Sequence, residues 1–529
     1  MTETQNPDMR MAFAAMTITL ALTACAATSD APAAQTATAG TMTEAAPTLG
    51  RTAVTPQQAS DSYFTRAADA VKARAGEGRP PQAKNVILFV GDGMGISTVT
   101  AGRIYAGQQK GLDGESYRLT MESLPWSAFS KTYSHDAQVA DSASTATAMM
   151  SGVKTGSRTL GLPPGVAYNN CASQDGQGTD SIFEIAEEAG LATGIVSTAR
   201  ITHATPAATY SEAANRDWED DTEVGDAGCK DIARQLVEWP AGDGFEVILG
   251  GGRGAFYPAS VTDPEPGEPA GRRTDGANLV EEWLAEGGER TFVFDRAGFD
   301  GTDFASDAKI MGLFEPSHMQ YELDRAEDTA GEPSLAELTE AAITRLSRDE
   351  DGYVLLVEGG RIDHGHHATN AARALGDTAA LDEAVKAALD MTSAEDTLII
   401  VTADHSHTMT IAGYPARGND ILGKVAYGPG GLARADDGKP YTTLGYANGV
   451  TGCKPGAESC VREDLTTVDT TDKDFHQQTL VLYGSETHAG EDVPVFARGP
   501  GAELVRGTIE QNEIFHVMGL ASGLVDYED

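Results

Sequence analysis

Residues 354–367 read VLLVEGGRIDHGHH, an apolar run followed at once by acids and histidines. The run Val354 to Val357 predicts a short buried strand of a parallel sheet, and Glu358 follows where that strand ends. Asp363 and His367 are four residues apart, so on a helix they share one face at the spacing of two ligands to a single ion. The stretch therefore predicts a strand, an acid at its end and a metal-binding turn of helix.

Four further apolar runs predict strands of the same kind, separated by helical patterns. These runs are Val86 to Val90, Gly194 to Ser197, Val247 to Leu249 and Leu398 to Thr402. The predicted helices are Asp180 to Ala189 and the amphipathic Ser334 to Leu346. This alternation favours the α/β class, with a large, mostly parallel central sheet flanked by helices. In such a sheet the residues after each strand gather at the carboxyl edge, where ligands bind.

Two other predicted strands also run directly into acids. One is followed by Gly91-Asp92-Gly93 and another by Ala403-Asp404-His405. Converging carboxylates repel one another, so the cluster implies either divalent cations between them or strongly raised pKa values. The histidines beside these acids favour cations, because imidazole with carboxylate suits zinc and an oxygen-rich neighbour suits magnesium.

Residues 139–150, VADSASTATAMM, predict a helix of small residues with Asp141 as its N-cap. On one interpretation this is only a tightly packed, capped helix. On the other, Ser142 lies at the positive end of the helix beside a metal ion, which would lower the pKa of its hydroxyl and make it a nucleophile.

The composition is that of an ordinary globular protein with a strong acidic excess. The 529 residues are 40% hydrophobic and carry a net charge of −41. Nucleic acids and anionic lipid surfaces are therefore excluded as partners bound by bulk attraction. An anionic substrate would have to be held by a few local arginines, helix N-termini or metal ions.

The N-terminal region has the pattern of an exported protein. The apolar stretch Met11 to Leu22 is too short to span a bilayer, and the tetrapeptide Leu22 to Cys25 resembles a bacterial lipobox. We therefore expect a signal peptide over residues 1–24, a lipid anchor at Cys25 and a periplasmic or cell-surface location, with a plain secretory signal as the alternative. Residues 25–60, rich in Ala, Thr and Pro, predict a flexible tether before a single domain over residues 61–529.

Four cysteines remain in the body of the chain, an even number that suits disulfides in an oxidising compartment. The favoured pairs are Cys171 with Cys229 and Cys453 with Cys460. The second pair lies in a Gly-rich insertion, about residues 410–480, near the carboxyl edge of the sheet where ligands bind. The sequence leaves open whether this insertion is a lid, a dimer contact or a substrate platform.

Taken together and in order, seven segments resemble the alkaline phosphatase family over about Asn85 to Pro500. They are Gly91 to Gly95, Asp141 to Ala143, Thr202 to Ala207, Asn215 to Trp218, Glu358 to His367, Thr402 to His407 and Glu486 to Asp492.

The resemblance implies a set of metal ligands and catalytic residues. A first zinc would be held by Asp363, His367 and His488, and a second by Asp92, Asp404 and His405. A third ion, magnesium in the family, would use Asp92, His203, Thr205 and Glu358. The catalytic residues would be Ser142 as nucleophile, Arg216 as a bidentate phosphate clamp and His364 near the phosphate.

The resemblance also implies an activity and a substrate class. Phosphate monoesters would be hydrolysed to an alcohol and inorganic phosphate through a phosphoserine, by an enzyme that is habitually a homodimer. The best-known bacterial members carry Asp and Lys where this chain has His203 and His364, and histidine at both positions is more similar to the animal enzymes. Because His364 is a weaker cation than Lys, we expect looser phosphate binding and faster product release. A calcium ion near Glu265, the carbonyl of Phe314, Glu315 and Glu332 would echo a fourth site of the animal members.

Two rival functions stay open at this point. A phosphodiesterase or sulfatase of the same superfamily would share the acids at the strand ends, but Arg216 plus a third cation is excess positive charge for a diester. A non-catalytic metal-binding lipoprotein would have no need of Ser142.

Overall fold

The computed structural model describes residues 49–76, 82–225, 228–428, 430–452 and 461–527, all within one compact unit, Ala46–Asp529. The predicted signal peptide, Cys25 and most of the predicted tether lie outside the described residues, as does the predicted pair Cys453 and Cys460. Among the described residues, no helix combines the length and apolar character needed to cross a membrane.

The strands and helices alternate along the chain. The strands are β1 (Asn85–Gly91), β2 (Trp126–Lys131), β3 (Ala192–Arg200), β4 (Val247–Gly251), β5 (Arg290–Val293), β6 (Lys309–Leu313), β7 (Tyr353–Gly359), β8 (Thr397–Ala403), β9 (Ser406–His407), β10 (Met409–Ile411), β11 (Leu444–Gly449), β12 (Thr479–Leu482), β13 (His488–Ala489), β14 (Val493–Arg498) and β15 (Gly507–Glu510). The helices are α1 (Ser62–Ala75), α2 (Ile96–Gln109), α3 (Ser142–Ser151), α4 (Ile182–Glu188), α5 (Ala204–Ala207), α6 (Asp221–Val224), α7 (Ile232–Val237), α8 (Leu279–Ala285), α9 (Arg296–Gly301), α10 (Leu335–Leu346), α11 (Arg361–His367), α12 (Ala371–Met391) and α13 (Glu513–Ser522).

Ten of these strands form one central sheet in the order β15-β2-β14-β8-β1-β7-β3-β4-β6-β5. Seven of its nine pairings are parallel, and only β14 runs antiparallel to its neighbours β2 and β8. The predicted α/β class with a mostly parallel sheet is confirmed, and each of the five predicted strands lies within one of these ten.

The central strands are apolar on both faces because helices cover both faces of the sheet. In β1, Val86, Leu88 and Val90 pack into one hydrophobic cluster, while Ile87 and Phe89 pack into a second on the opposite face. Both predicted helices form and begin with a capping box, in which a serine and a glutamate satisfy each other's backbone N–H groups at the first turn.

The predicted insertion forms a small second sheet beside the main one. Strands β10, β11 and β12 make this three-stranded sheet, and its apolar residues pack against α2 and the start of α12. Met409 and Tyr446 lie in that shared cluster. The insertion is therefore anchored to the sheet's helices by its own hydrophobic contacts.

Two predictions about the chain outside the sheet have different outcomes. The disulfide between Cys171 and Cys229 is present. The predicted tether, however, is too long at its C-terminal end. Arg51 donates hydrogen bonds to the carbonyls of Ala83 and Ser522, and Val54 forms a bridge with Val525. These contacts fix residues that composition alone indicated to be flexible.

Candidate active site and metal centre

The carboxyl ends of three adjacent strands bring buried acids together. Strand β1 lies between β7 and β8, with Val90 opposite Glu358 on one side. Asp92, Glu358 and Asp404 are each fully buried. Asp404 is fixed by backbone donors, since its Oδ1 accepts from the N–H of Gly93 at 2.9 Å. The sheet register thus assembles residues that are more than 300 positions apart in sequence.

Asp92 is the clearest sign that cations belong at this edge. Neither of its carboxylate oxygens has a hydrogen-bond partner among the described residues. Burial, followed by the charges of Asp404, Asp363 and Glu358, raises the pKa of Asp92 well above its ordinary value. A buried carboxylate without hydrogen bonds is costly unless a cation or a proton compensates it.

The first predicted metal position has the geometry of an ion site. Asp363 Oδ1 lies 3.3 Å from His367 Nε2 and 3.4 Å from His488 Nε2, and the two Nε2 atoms are 3.1 Å apart. Ligand atoms about 2.0 Å from a tetrahedral ion are separated by about 3.3 Å. The three atoms therefore surround a point where one small divalent ion fits.

Hydrogen bonds fix the histidine tautomers at this position. His367 Nδ1 lies 2.6 Å from the carbonyl oxygen of Glu486, and His488 Nδ1 lies 2.8 Å from that of Ala140. A carbonyl oxygen can only accept, so each Nδ1 carries the proton and each Nε2 keeps its lone pair for a metal.

Behind the first position lies a layer that the sequence analysis did not assign. His407 is buried, with its Nε2 at 2.7 Å from Asp363 Oδ1 and its Nδ1 at 2.5 Å from Glu486 Oε2. Glu486 also accepts from the backbone and side chain of Thr408. Although burial opposes a charged ring, the hydrogen bonds and charges of Asp363 and Glu486 raise the pKa of His407 to about 10. His407 thus orients a ligand rather than offering a free lone pair. His407 and Glu486 belong to two of the seven family segments, but the spacing within those segments does not indicate that the two side chains touch.

The second predicted position lies around His405. Its Nε2 is 3.4 Å from Asp92 Oδ1, 3.3 Å from Asp404 Oδ2 and 3.2 Å from Ser142 Oγ. All four side chains are buried. A nucleophilic oxygen therefore adjoins the same group of donors that would hold an ion.

Ser142 is the first residue of α3, as the sequence predicts. Asp141 is the N-cap and accepts from the backbone N–H of Ala143 at 3.3 Å. Gly152 ends the helix in the left-handed conformation. The positive end of the helix dipole thus lies at the hydroxyl of Ser142, where it favours an anion.

The third predicted position brings His203, Thr205 and Glu358 close to Asp92. Asp92, His203 and Glu358 each offer an atom within 4.8 Å of the others, and Thr205 is fully buried beside them. Burial raises the pKa of Glu358 to about 7, against the opposing hydrogen bond of Ser197. The residues that the sequence assigned to this site therefore meet in space.

Arg216 lies between the N-cap and this third position. Its Nη1 donates to Asp141 Oδ2 at 3.1 Å and its Nη2 donates to His203 Nε2 at 3.0 Å. Since a guanidinium only donates, Nε2 of His203 must accept, and the single proton of the neutral ring therefore lies on Nδ1. That Nδ1 is buried without a partner among the described residues. In this arrangement the lone pair of His203 Nε2 is taken by Arg216, whereas the family resemblance implies that His203 is a metal ligand.

His364 lies beside a histidine that the sequence did not single out. Its ring centroid is 4.0 Å from that of His318 and 5.4 Å from that of His203. Burial, followed by the charge of Arg361, lowers the pKa of His364 to about 3. His364 is therefore neutral at ordinary pH, as expected of a weaker cation than Lys.

The acids of the predicted calcium site lie close together, with one addition. Glu265, Glu315 and Asp328 each offer an oxygen within 4.8 Å of the others. Glu332 is buried beside them, and burial followed by the charges of Glu315 and Asp328 raises its pKa to about 9. Its Oε1 accepts from the backbone N–H of Gln320 at 3.0 Å, and its Oε2 has no hydrogen-bond partner among the described residues. The sequence did not single out Asp328. Phe314 is buried directly before Glu315.

The donor chemistry of the main cluster fits divalent metal ions. Imidazole Nε2 atoms with free lone pairs and unpartnered carboxylate oxygens converge at the carboxyl edge of the sheet, beside a serine hydroxyl and an arginine. Comparison with known proteins agrees with this arrangement, since the family model described as "Alkaline phosphatase" matches residues 83–524. The chain belongs to the alkaline phosphatase family.

Relatives in this family are similar over most of the chain. The alkaline phosphatase of Gadus morhua is 44% identical over 452 residues, which cover 83% of this chain and 92% of the relative. The tissue-nonspecific isozyme of Homo sapiens is 43% identical over 450 residues, 83% of this chain and 84% of the relative. The crystal structure of Thermus thermophilus alkaline phosphatase is 25% identical with a TM-score of 0.61, covering 90% of this chain and 96% of that one. The similarity to animal enzymes accords with the histidines at positions 203 and 364, and family membership implies divalent metal cofactors.

Proposed function

We propose that this member of the alkaline phosphatase family hydrolyses phosphate monoesters to an alcohol and inorganic phosphate through a phosphoserine on Ser142. One observation carries the proposal. The buried Ser142 Oγ starts helix α3 and lies 3.2 Å from His405 Nε2, so a nucleophile lies among the candidate metal ligands. A protein that only bound metal would have no use for a hydroxyl at this point.

The donor sets support two zinc ions and one magnesium ion. Zinc suits the nitrogen-rich first position of Asp363, His367 and His488, and the second position adds His405 to two carboxylates. Magnesium suits the oxygen-rich third position of Asp92, Thr205 and Glu358. The oxygen cluster of Glu265, Glu315 and Asp328, with Glu332 beside it, would suit calcium.

The bound ions would stabilise the charges that develop on the attacking and leaving oxygens and lower the pKa of the attacking hydroxyl. The chain's own residues perform the remaining steps. Ser142 Oγ gives its proton to solvent and bonds to phosphorus as the P–O bond to the alcohol breaks, and the departing oxygen takes up a proton to leave as the alcohol. Water then loses a proton and attacks the phosphoserine, the Ser142 O–P bond breaks, Oγ is reprotonated, and inorganic phosphate leaves. Arg216, held by Asp141, donates from its fork to the non-bridging oxygens.

A related diesterase or sulfatase activity is the alternative. A diester has one less anionic oxygen, so the combination of Arg216 and a third cation position favours the monoester. The strong match to alkaline phosphatases over 83% of the chain supports the same choice.

The test is the rate of p-nitrophenyl phosphate hydrolysis against pH for wild type and Ser142→Ala, with metal content measured on the same samples. Ser151→Ala, which removes a hydroxyl at the far end of α3, is the matched control. We expect alkaline activity to be lost in Ser142→Ala with metal retained, and kept in Ser151→Ala. A metal-loaded wild type that cleaves bis-p-nitrophenyl phosphate or a sulfate ester but not the monoester would overturn the proposal.

We also propose that the enzyme is exported and carries a lipid on Cys25, on the strength of the lipobox-like Leu22 to Cys25 and the disulfide between Cys171 and Cys229. Mass spectrometry of the mature N-terminus tests this. A mature chain without a modified Cys25 would overturn the lipid anchor and favour a plain secretory signal.

A homodimer is the oligomeric state we propose. A groove of about 520 Å³ runs beside the edge strand β15 and its neighbours β2 and β14. Two large apolar side chains on its wall, Ile96 and Phe129, are 41% and 50% exposed. Such a patch is typical of a protein interface. Sedimentation of wild type and Phe129→Glu tests this, and an unchanged dimer in the variant would exclude this face.

A further inference from the structure

The wall around Arg216 carries a second arginine with an unusual backbone. Arg158 has φ +64°, a left-handed conformation that non-glycine residues adopt at a cost of about 1 kcal/mol or more. Its N–H donates to Asp141 Oδ1 at 2.9 Å, and its carbonyl accepts from the N–H of Arg216 at 2.9 Å. The backbone of Arg158 is therefore tied to both the N-cap of α3 and the candidate phosphate clamp.

The side chain of Arg158 lies at the surface beside these buried groups. It forms an ion pair with Asp217, with the two side chains 47% and 52% exposed. Its Nε donates to the hydroxyl of Tyr168 at 3.0 Å, and its guanidinium lies 5.3 Å from the centre of that ring. The hydrogen bonds of its guanidinium use Nε and Nη2. Asp217 directly follows Arg216, so this exposed cluster borders the clamp.

Because Arg158 adjoins Arg216 and its side chain is exposed, we infer that the alcohol part of a bound substrate can reach it. Arg216 would bind only non-bridging oxygens, so the alcohol would extend toward solvent past the exposed side chains that border Arg216. An exposed ion pair is worth only about 0–1 kcal/mol, so Arg158 can exchange Asp217 for a substrate anion at little cost. In a chain with a net charge of −41, such a local cation offsets the repulsion of a second anionic group.

We propose that Arg158, modulated by Asp217 and Tyr168, is a specificity-determining residue that favours phosphate monoesters whose alcohol carries a second anionic group. This inference rests on the proposed phosphomonoesterase function. It adds the substrate class, which the phosphate-binding residues alone do not determine.

A matched pair of substrates isolates this effect. Glycerate 3-phosphate and glycerol 3-phosphate share a three-carbon skeleton and differ in a carboxylate against a hydroxymethyl group. The measured quantity is the ratio of their kcat/KM values for wild type, Arg158→Gln and Asp217→Asn. The control is Arg348→Gln, which removes an exposed arginine paired with Asp307 near the amino end of β7.

We expect Arg158→Gln to lower the ratio of kcat/KM for glycerate 3-phosphate to kcat/KM for glycerol 3-phosphate roughly fivefold. Asp217→Asn should raise the same ratio severalfold, because Arg158 loses its competing partner. The fall in this ratio caused by Arg158→Gln should be smaller in high salt, since the contact between Arg158 and the substrate anion is exposed to solvent. Inhibition by inorganic phosphate should change far less than the ratio, because the substitution keeps the backbone contacts to Asp141 and Arg216.

A ratio that neither variant changes would overturn the inference while leaving the proposed function intact. So would an equal loss for both substrates together with weaker phosphate inhibition, since Arg158 would then only position Arg216. A metal-loaded wild type that hydrolyses neither monoester would instead overturn the proposed function on which the inference rests.

Discussion

Nε2 of His407 lies 2.7 Å from Oδ1 of Asp363, and the opposite nitrogen of the same ring lies 2.5 Å from a carboxylate oxygen of Glu486. One imidazole is thus clamped between a candidate metal ligand and a second acid. This contact fixes the rotation of the Asp363 carboxylate toward His367 and His488.

Replacing His407 with alanine should therefore weaken metal binding at the first position. We expect the dissociation constant for zinc to rise about 10- to 100-fold, which is the usual cost of removing a partner of a metal ligand. Competition with a chromophoric chelator measures it. His135→Ala, at an exposed ring beside Tyr63, is the control. Equal zinc affinity in the two variants would contradict the positioning role.

Gly93 should be intolerant of any side chain. It has φ +68°, and an added Cβ would lie 2.3 Å from Cδ2 of His407. Gly93→Ala combines backbone strain with a steric clash, so we expect it to lower the free energy of unfolding by about 2 kcal/mol or more. Gly190→Ala is the matched control, because Gly190 has φ +79° with nothing within 4 Å of the added Cβ. Denaturant titration compares them, and equal losses would mean that His407 yields freely.

Arg216→Lys should impair phosphate binding although it keeps the charge. A lysine ammonium cannot reproduce the fork that contacts Asp141 through one nitrogen and His203 through the other. We expect kcat/KM for p-nitrophenyl phosphate to fall about 10- to 100-fold, which corresponds to the loss of one or two charge-assisted hydrogen bonds. Steady-state kinetics of the metal-loaded variant measures it. A loss of less than twofold would show that a single positive charge suffices.

The sequence predicted the sheet well because its central strands are apolar on both faces and run directly into acids. Val354 to Val357 and Leu398 to Thr402 lie inside β7 and β8, which both pair with β1. The sequence could not predict contacts made only by register and loop path. Glu486 and His407 are 79 residues apart, and no local pattern indicates that they touch.

The same reason explains what the sequence missed at the acidic cluster. Asp328 was not among the predicted oxygen ligands, and only the fold brings it close to Glu265 and Glu315, beside Glu332. His318 was missed because a single histidine in a connecting segment has no periodicity or motif. Its contact with His364 depends on how two separate loops pack.

His364→Lys should slow product release. The lowered pKa of His364, about 3, leaves the ring neutral at ordinary pH, so it contributes no charge to phosphate binding. A lysine would add a positive charge near Arg361 and the phosphate. We expect the inhibition constant of inorganic phosphate to fall about tenfold, together with a lower kcat. His364→Gln, which adds no charge, is the control. Tighter phosphate binding in both variants would exclude a charge effect.

His516, remote from the metal centre, should make the fold acid-sensitive. It is fully buried, with Nδ1 at 3.0 Å from the hydroxyl of Tyr527 and Nε2 without a partner among the described residues. Burial, with a smaller effect of Lys72, lowers the pKa of His516 to about 3. Below about pH 6.5 the unfolded chain binds a proton on this ring while the folded protein does not, so stability falls as the pH decreases from 6.5 toward 3.

His516→Asn removes this titration. Between pH 7 and pH 5 the wild type should lose about 2 kcal/mol more stability than the variant, because 1.5 pH units of unmatched proton uptake cost about that much. Denaturant unfolding at a series of pH values measures the difference, with the exposed His135→Asn as control. Parallel curves for wild type and His516→Asn would mean that the folded protein accommodates the charged ring, through water or a shift of Tyr527, and that the acid sensitivity arises elsewhere.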